Sequence, residues 1–411
     1  MSKIISVLCD ADWMSKARAR AYRGVFLVCF PGFFLLYLVL SHGGLDLYGR
    51  PLGTDFISFW TASQIALSGA PASAYDVATH WAAQKALFGD GLNYTAFFYP
   101  PVFLLLCLPL ALLPYFGALA LWLVASGAAC FAALRALAGR PMAEFLALPA
   151  VWINVVYGQN GFVTTALFAA AAASIGSSPV LAGVYLGALV YKPHFLILAP
   201  FALLAGRCWR TILAAGVCAI ALCALSLAVF GLQTWQAFLA GTALAQATLE
   251  QNLVGYEKMQ SSFAAARLLG AGLTAAYAIQ IVIAIGAAAV VVYLVWTRPV
   301  DERLGVALVS GTVCATPFLL PYDLMLMAVP MAWLLREAGR GGFRPWEKTV
   351  MMLNFITPLV AAPLALHTHI PIGPLAILSM FAVVARRIVV SPPADRPAGA
   401  QTYSGAGRSP G

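Results

Sequence analysis

Asp55 is the residue around which chemistry can be built. It follows Gly53 and Thr54 and precedes Phe56, Phe59 and Trp60, a set at helical spacing, in a chain where only 9% of residues are charged. Thr54 can cap a short amphipathic helix with Asp55 in its first turn, which predicts a helix lying on the membrane surface. A carboxylate held there can take a proton from a hydroxyl while the tail of the substrate stays in lipid. The same position also suits an acid that only favours the positive end of a helix.

Lys192 is the most unusual cation. It stands between the apolar run 180–191 and the nearly apolar run 195–204, followed by Pro193 and His194. A charge in such a setting is costly unless paired and is a functional candidate, although a lysine snorkelling from a helix end fits the same pattern. Gly158-Gln159-Asn160 reads as a polar turn between two helices, and Tyr322-Asp323, after Pro317 and Pro321, as an interfacial anchor with a helix-start acid. The predicted topology brings Asp55, Asp76, Gln159, Asn160, Lys192, His194, Lys258, Arg267, Tyr322 and Asp323 to one face. One available carboxylate with several cations suits transfer of a group from an anionic lipid, because a base takes a proton while cations stabilise a phosphate leaving group. His42, His80, His367 and His369 show no metal-ligand spacing, and there is no Walker motif, no G-x-S-x-G and no H-E-x-x-H. A lipid-linked donor is the natural substitute for a nucleotide, and neither a metal nor a cofactor is expected.

The elements that must position these residues are membrane helices. The chain has 411 residues, 62% of them hydrophobic, and runs such as 24–40, 211–230 and 275–296 approach the length that crosses a bilayer. Its net charge of +9 lies in clusters that flank these runs, at Lys16–Arg23, Arg207/Arg210, Arg298/Arg303, Arg336/Arg340/Arg344 and Arg386/Arg387. They read as positive-inside determinants, and no basic patch interleaved with aromatics points to nucleic acid. The eight cysteines are scattered without a C-x-x-C pair, so neither a disulfide frame nor a zinc site follows.

The expectation is an all-α polytopic membrane protein. Residues 1–23 form a cytoplasmic N-terminus, 24–390 the transmembrane domain, and the Pro/Gly-rich 391–411 a disordered tail. A first external loop, 43–97, carries helical pieces at 55–67 and 78–88 separated by Gly69-Ala70-Pro71. A second external loop spans 231–262. Between 98 and 140 the lengths fit two short helices broken near Pro114, and the charges fit one crossing plus a re-entrant piece.

In order along the chain, Asp55-Phe56, Phe59-Trp60, Gly69, Tyr75-Asp76, Tyr99-Pro100-Pro101, Pro109, Gly158-Gln159-Asn160, Lys192-Pro193, Lys258 to Phe263, Arg267, Gly270 and Pro321-Tyr322-Asp323 resemble the pattern of glycosyltransferase family 87. These are polyprenyl-phosphate-mannose-dependent α-mannosyltransferases of the bacterial envelope with a GT-C fold, and the resemblance covers about residues 50–335. It implies a bundle of roughly ten to twelve membrane helices with amphipathic surface helices in the first external loop. It also implies a site on the external face of the bacterial inner membrane, with the N-terminus cytoplasmic. Asp55 would be the general base of an inverting transfer of a sugar, mannose in this family, to a lipid or glycan acceptor. Lys192, Gln159, Asn160, Arg267, Tyr322, Asp323, Asp76 and His194 would contact donor or acceptor. The chain departs in having Phe59-Trp60 where tyrosine pairs are common. A transporter or lipid flippase is the rival reading; it predicts charges on several helices and paired halves, and the sequence shows neither.

Overall fold

The computed structural model describes residues 2–140 and 144–390, so the tail expected to be disordered lies outside the described residues. The chain begins with α1 (Ser2–Asp10) and α2 (Lys16–Val39), followed by α3 (Phe56–Leu67) and α4 (Val77–Phe88). Next come α5 (Pro101–Cys107), α6 (Tyr115–Ala138), α7 (Pro149–Tyr157), α8 (Gly161–Ser174), α9 (Pro179–Ala188) and α10 (Ala199–Ala205). The remainder is α11 (Trp209–Phe230), α12 (Leu232–Glu250), α13 (Ser262–Leu268), α14 (Leu273–Thr297), α15 (Glu302–Ala315), α16 (Ala328–Gly341), α17 (Glu347–Thr368) and α18 (Ile372–Val390). Six of these, α2, α6, α11, α14, α17 and α18, are long and apolar enough to cross a membrane, and the chain is an all-α, multi-pass membrane protein.

The 98–140 interval contains one full-length helix. α5 and a 3₁₀ turn at Leu108–Leu112 make a short piece, and α6 then runs its 24 residues from Pro114 to a left-handed Gly139. The short piece comes back to α3, where Gln64 Nε2 donates to Ala111 O at 2.7 Å and Trp60 Nε1 to Leu113 O at 3.1 Å. The second external interval is not a plain loop, since α12 occupies most of it.

α3 departs from the expected surface helix. It is buried on nearly every face, through Phe56, Ile57, Phe59, Ala62 and Ile65 together with Ser58, Thr61 and Ser63. Those three hydroxyls bond back to the helix's own carbonyls, to Asp55 O at 3.0 Å, Ile57 O at 2.5 Å and Phe59 O at 2.7 Å, so they pack as small apolar groups. α4 keeps only His80 and Gln84 buried and is the helix that lies on the surface. Thr54 does not cap α3 either. Its hydroxyl donates to Pro51 O at 3.2 Å, and Asp55 takes the cap position with its carboxylate turned away from the helix amides.

The core is built on α8, which packs against α6, α9 and α15, and on α15, every residue of which from Leu304 to Ala315 is buried. α2 buries none of its residues, and α11 only Thr211, Ser226 and Phe230, so their outer faces are left for lipid. α9 meets α11 through glycines. A Cβ on Gly183 would lie 2.4 Å from Thr211 O and 2.6 Å from Ala214 Cβ, and one on Gly187 would lie 2.4 Å from Ala215 O. Gly183→Val is therefore expected to destabilise the bundle by about 1–3 kcal/mol, read as a lower melting midpoint in detergent. An unchanged midpoint would mean that α9 and α11 can separate freely.

One end of the bundle is tied by arginines. Arg336 pairs with Glu302 at 2.6 Å and donates to Leu137 O at 2.9 Å, Arg344 reaches Arg387 O at 3.1 Å, Arg387 forms a buried pair with Glu347, and Arg23 lies 3.5 Å from Glu144. These contacts gather the start of α2, the end of α6, the start of α15, the end of α16, the start of α17 and the end of α18. At the opposite end, Tyr115 at the start of α6 donates to Leu52 O in the α2–α3 connection at 2.7 Å, and Asn154 of α7 donates to Tyr322 O in the turn before α16 at 2.9 Å.

Candidate active site

Two glycines bring the Asp55 loop onto the α7–α8 turn. Gly53 and Gly158 are both left-handed, at φ +71° and +64°, and a Cβ on Gly158 would sit 2.6 Å from Phe56 Cβ and 3.3 Å from Gly53 Cα. The surrounding backbone is held from outside: Tyr115 donates to Leu52 O at 2.7 Å and Trp122 Nε1 to Gly158 O at 3.1 Å. The Asp55 amide then donates to Tyr157 O at 2.9 Å, and Gln159 Nε2 donates to Asp55 Oδ2 at 2.9 Å. Gln159 is itself oriented, because its Oε1 accepts from Asn160 N at 2.9 Å and from the Tyr99 hydroxyl at 3.4 Å.

This leaves Asp55 half-buried, with Oδ1 accepting from no described residue. Burial is the largest influence on its carboxyl and, with the charge of Asp323, raises its pKa from 3.8 to about 6. The Gln159 hydrogen bond and the charges of Lys192 and Lys258 act in the opposite direction. A carboxylate balanced in this way is ionised at neutral pH and still basic enough to take a proton.

Lys192 ends the short turn after α9, and Asp323 lies in a 3₁₀ turn, Pro321–Met327, that precedes α16. Their side chains pair at 2.8 Å and are 4% and 5% exposed, so the ammonium is neither snorkelling nor free. Aromatic rings close around it, with Phe195, Tyr322 and Tyr99 centroids at 5.3, 5.8 and 5.9 Å from Nζ. Asp323 Oδ2 also accepts from Leu320 N at 3.2 Å. Beneath the pair, Asn154 Nδ2 donates to Tyr322 O at 2.9 Å, and Asn160 is fully buried with a side-chain amide that makes no hydrogen bond of good geometry.

Asp55, Gln159, Asn160, Lys192, Tyr322 and Asp323 thus form one polar centre, bridged by Tyr99. Other expected contact residues stand apart. Asp76 is exposed and caps α4 through Thr79, accepting from its amide at 2.8 Å and its hydroxyl at 2.6 Å, bonds that hold its pKa below the usual carboxylate range. Arg267 is spent on its own loop, donating to the Tyr256 hydroxyl at 3.1 Å and to Ala271 O at 2.8 Å. His194 is exposed beside the Phe195 ring. An Asp10-Ala11-Asp12 triplet lies at the arginine end, beside Lys348, and no group of three or more potential metal ligands occurs among the described residues.

Sequence reading missed Tyr99 as a bridge and His80 as a buried support. The His80 ring has Nε2 at 3.0 Å from Thr61 Oγ1 and 3.1 Å from Ser58 O, and Nδ1 at 3.3 Å from the Tyr94 hydroxyl. Burial pushes its pKa down to about 4, so it is a neutral imidazole that clamps α4 onto the first turn of α3, just after Asp55. The signal for Tyr99 lay in a hydroxyl at the end of the aromatic run Phe97-Phe98-Tyr99, whereas His80, between Thr79 and Trp81, carries no comparable signal.

No curated protein and no solved structure matches the chain. Residues 97–321 match the description of glycosyltransferase family 87. That segment contains Tyr99, Gln159, Asn160 and Lys192 and ends just before Tyr322; Asp55 lies ahead of it, joined to it through Gln159 and Tyr157. The match spans more than half of the sequence and holds the glutamine and the buried cation that lie with the half-buried Asp55 at one end of the helical bundle, and the chain belongs to glycosyltransferase family 87, as a membrane glycosyltransferase.

Proposed function

We propose that the chain transfers a sugar, mannose in this reading, from a polyprenyl-phosphate donor to a hydroxyl of a lipid or glycan acceptor. The observation that carries this is the Asp55 carboxylate, held by Gln159 on one oxygen and open on the other, in the same polar centre as the buried Lys192. Asp55 takes the acceptor proton as the hydroxyl oxygen attacks the anomeric carbon. The bond from that carbon to the phosphate oxygen breaks, and its electron pair leaves on polyprenyl phosphate next to Lys192. Asp55 is the acid of the centre with an oxygen that accepts from no described residue, and one such base without a second carboxylate acting as nucleophile supports one displacement with inversion. Arginines gather at the opposite end, and by the positive-inside rule that end faces the cytoplasm of a bacterial inner membrane and the site faces outward.

The test is sugar transfer by purified protein in liposomes supplied with polyprenyl-phosphate mannose and a lipid extract. A glycosylated lipid product supports the reading, and no product with this donor while another lipid-linked sugar is used would overturn the choice of mannose. The rate is expected to rise as pH passes through about 6 and to level off above it, because only ionised Asp55 accepts a proton. A rate constant across about pH 5 to 8 would remove Asp55 from the rate-determining step.

A further inference from the structure

The Lys192–Asp323 pair poses a problem for any anionic ligand. A lysine that is to meet a phosphate is already neutralised, at 2.8 Å and nearly out of contact with solvent, by a carboxylate that repels the same phosphate. Two features make the pairing reversible. Asp323 keeps a second partner, the Leu320 amide at 3.2 Å, and sits at the start of its own turn, so one hydrogen bond stays with it when the ammonium turns away. The ammonium is surrounded by the Tyr99, Phe195 and Tyr322 rings, which attract a cation without fixing its direction.

We propose that Asp323 is a displaceable counter-ion: the donor phosphate exchanges with it for Lys192 on entry, and Asp323 recaptures Lys192 to expel the product phosphate. The proposal rests on the polyprenyl-phosphate reading above. In the donor the phosphate is a diester with one negative charge. After transfer it is a monoester approaching two, which Lys192 alone would hold more tightly than the donor. A carboxylate waiting within reach competes for the ammonium at that moment and keeps the product from blocking the site. Asp323 is in this sense a positioning residue for Lys192.

The experiment measures binding of polyprenyl phosphate itself to the full chain in detergent, beside steady-state transfer. Asp323→Asn retains an acceptor for the Leu320 amide and removes the competing charge. It is expected to bind polyprenyl phosphate about tenfold more tightly than the native protein, to lower both kcat and the donor KM, and to show stronger product inhibition. Asp323→Glu, which restores the charge, is expected to return affinity towards native. Unchanged or weaker binding by Asp323→Asn, with a raised donor KM, would overturn the exchange and leave Asp323 as a fixed support. If the native protein transfers sugar but binds no polyprenyl phosphate, the donor reading falls and the exchange with it. Should Asp323→Asn not fold, the native protein still decides: the ¹⁵N resonance of Lys192 Nζ is expected to shift on titration with polyprenyl phosphate, and an unmoved resonance would overturn the proposal.

Discussion

Asp55→Asn is expected to lower sugar transfer by about a thousandfold or more while the protein folds normally. Asparagine keeps an oxygen for Gln159 Nε2, which donates to Asp55 Oδ2 at 2.9 Å, and the backbone bond to Tyr157 does not involve the side chain. Only the ability to take a proton is lost. Stability should move the other way. The folded-state pKa of about 6 stands above the ordinary carboxyl value of 3.8, so the native protein binds more protons than the unfolded chain between these values. The cost of ionising Asp55 is absent well below pH 3.8, grows as pH rises through this window and is fully present above about 6. A neutral amide avoids it, so the melting midpoint of Asp55→Asn at neutral pH should be equal to or above native. An inactive variant with a much lower midpoint would mean that Asp55 holds the loop, and a variant of near-native activity would exclude it as the base.

Lys192→Ala should have the second large effect, with two separable parts. Removing the ammonium leaves Asp323 buried against aromatic rings without its 2.8 Å partner, a loss of about 3–5 kcal/mol in stability. It also removes the cation that would meet the donor phosphate, so transfer should fall even where the protein remains folded. The double variant Lys192→Met with Asp323→Asn separates the two. It has no orphaned charge and should regain most of the lost midpoint while transfer stays low, as followed by thermal unfolding and by kinetics at limiting donor. Recovery of transfer together with the midpoint would make the pair purely structural.

The class of fold could be read from the sequence because lipid imposes simple rules on length, charge and backbone hydrogen bonding. The breaker at Gly69-Ala70-Pro71 separates α3 from the turn before α4 in the structure, and Gly158 ends α7 in the left-handed conformation. Burial was harder to read. α3 carries Ser58, Thr61 and Ser63, which look like a polar face until their hydroxyls are seen bonded to the helix's own carbonyls. The same limit applies to the site. Lys192 and Asp323 are 131 positions apart, and the unfavourable setting of the lysine demanded a partner without naming it. Asp55 and Gln159 are 104 apart and meet only because two glycines let their backbones approach, a fact of tertiary packing with no local signature. Asp76 and Arg267 had the right residue types but were consumed locally, as a cap and as a loop tie.

The short helices of the bundle have a consequence for how the protein is made. α7, with 9 residues, α9, with 10, and α10, with 7, are too short to be recognised singly as membrane segments as they leave the ribosome. Each can enter only with a neighbour as a hairpin, and the tips of those hairpins are Gly158-Gln159-Asn160 and Lys192-Pro193, the polar pieces that lipid rejects most strongly. Gln159 meets Asp55 and Tyr99, which precede it in the chain, whereas Lys192 gains its partner only when the turn bearing Asp323 arrives, more than a hundred residues later in synthesis. Biogenesis of this enzyme therefore passes through a stage in which Lys192 waits, unpaired, for the last third of the chain, and the polar centre is completed late in insertion.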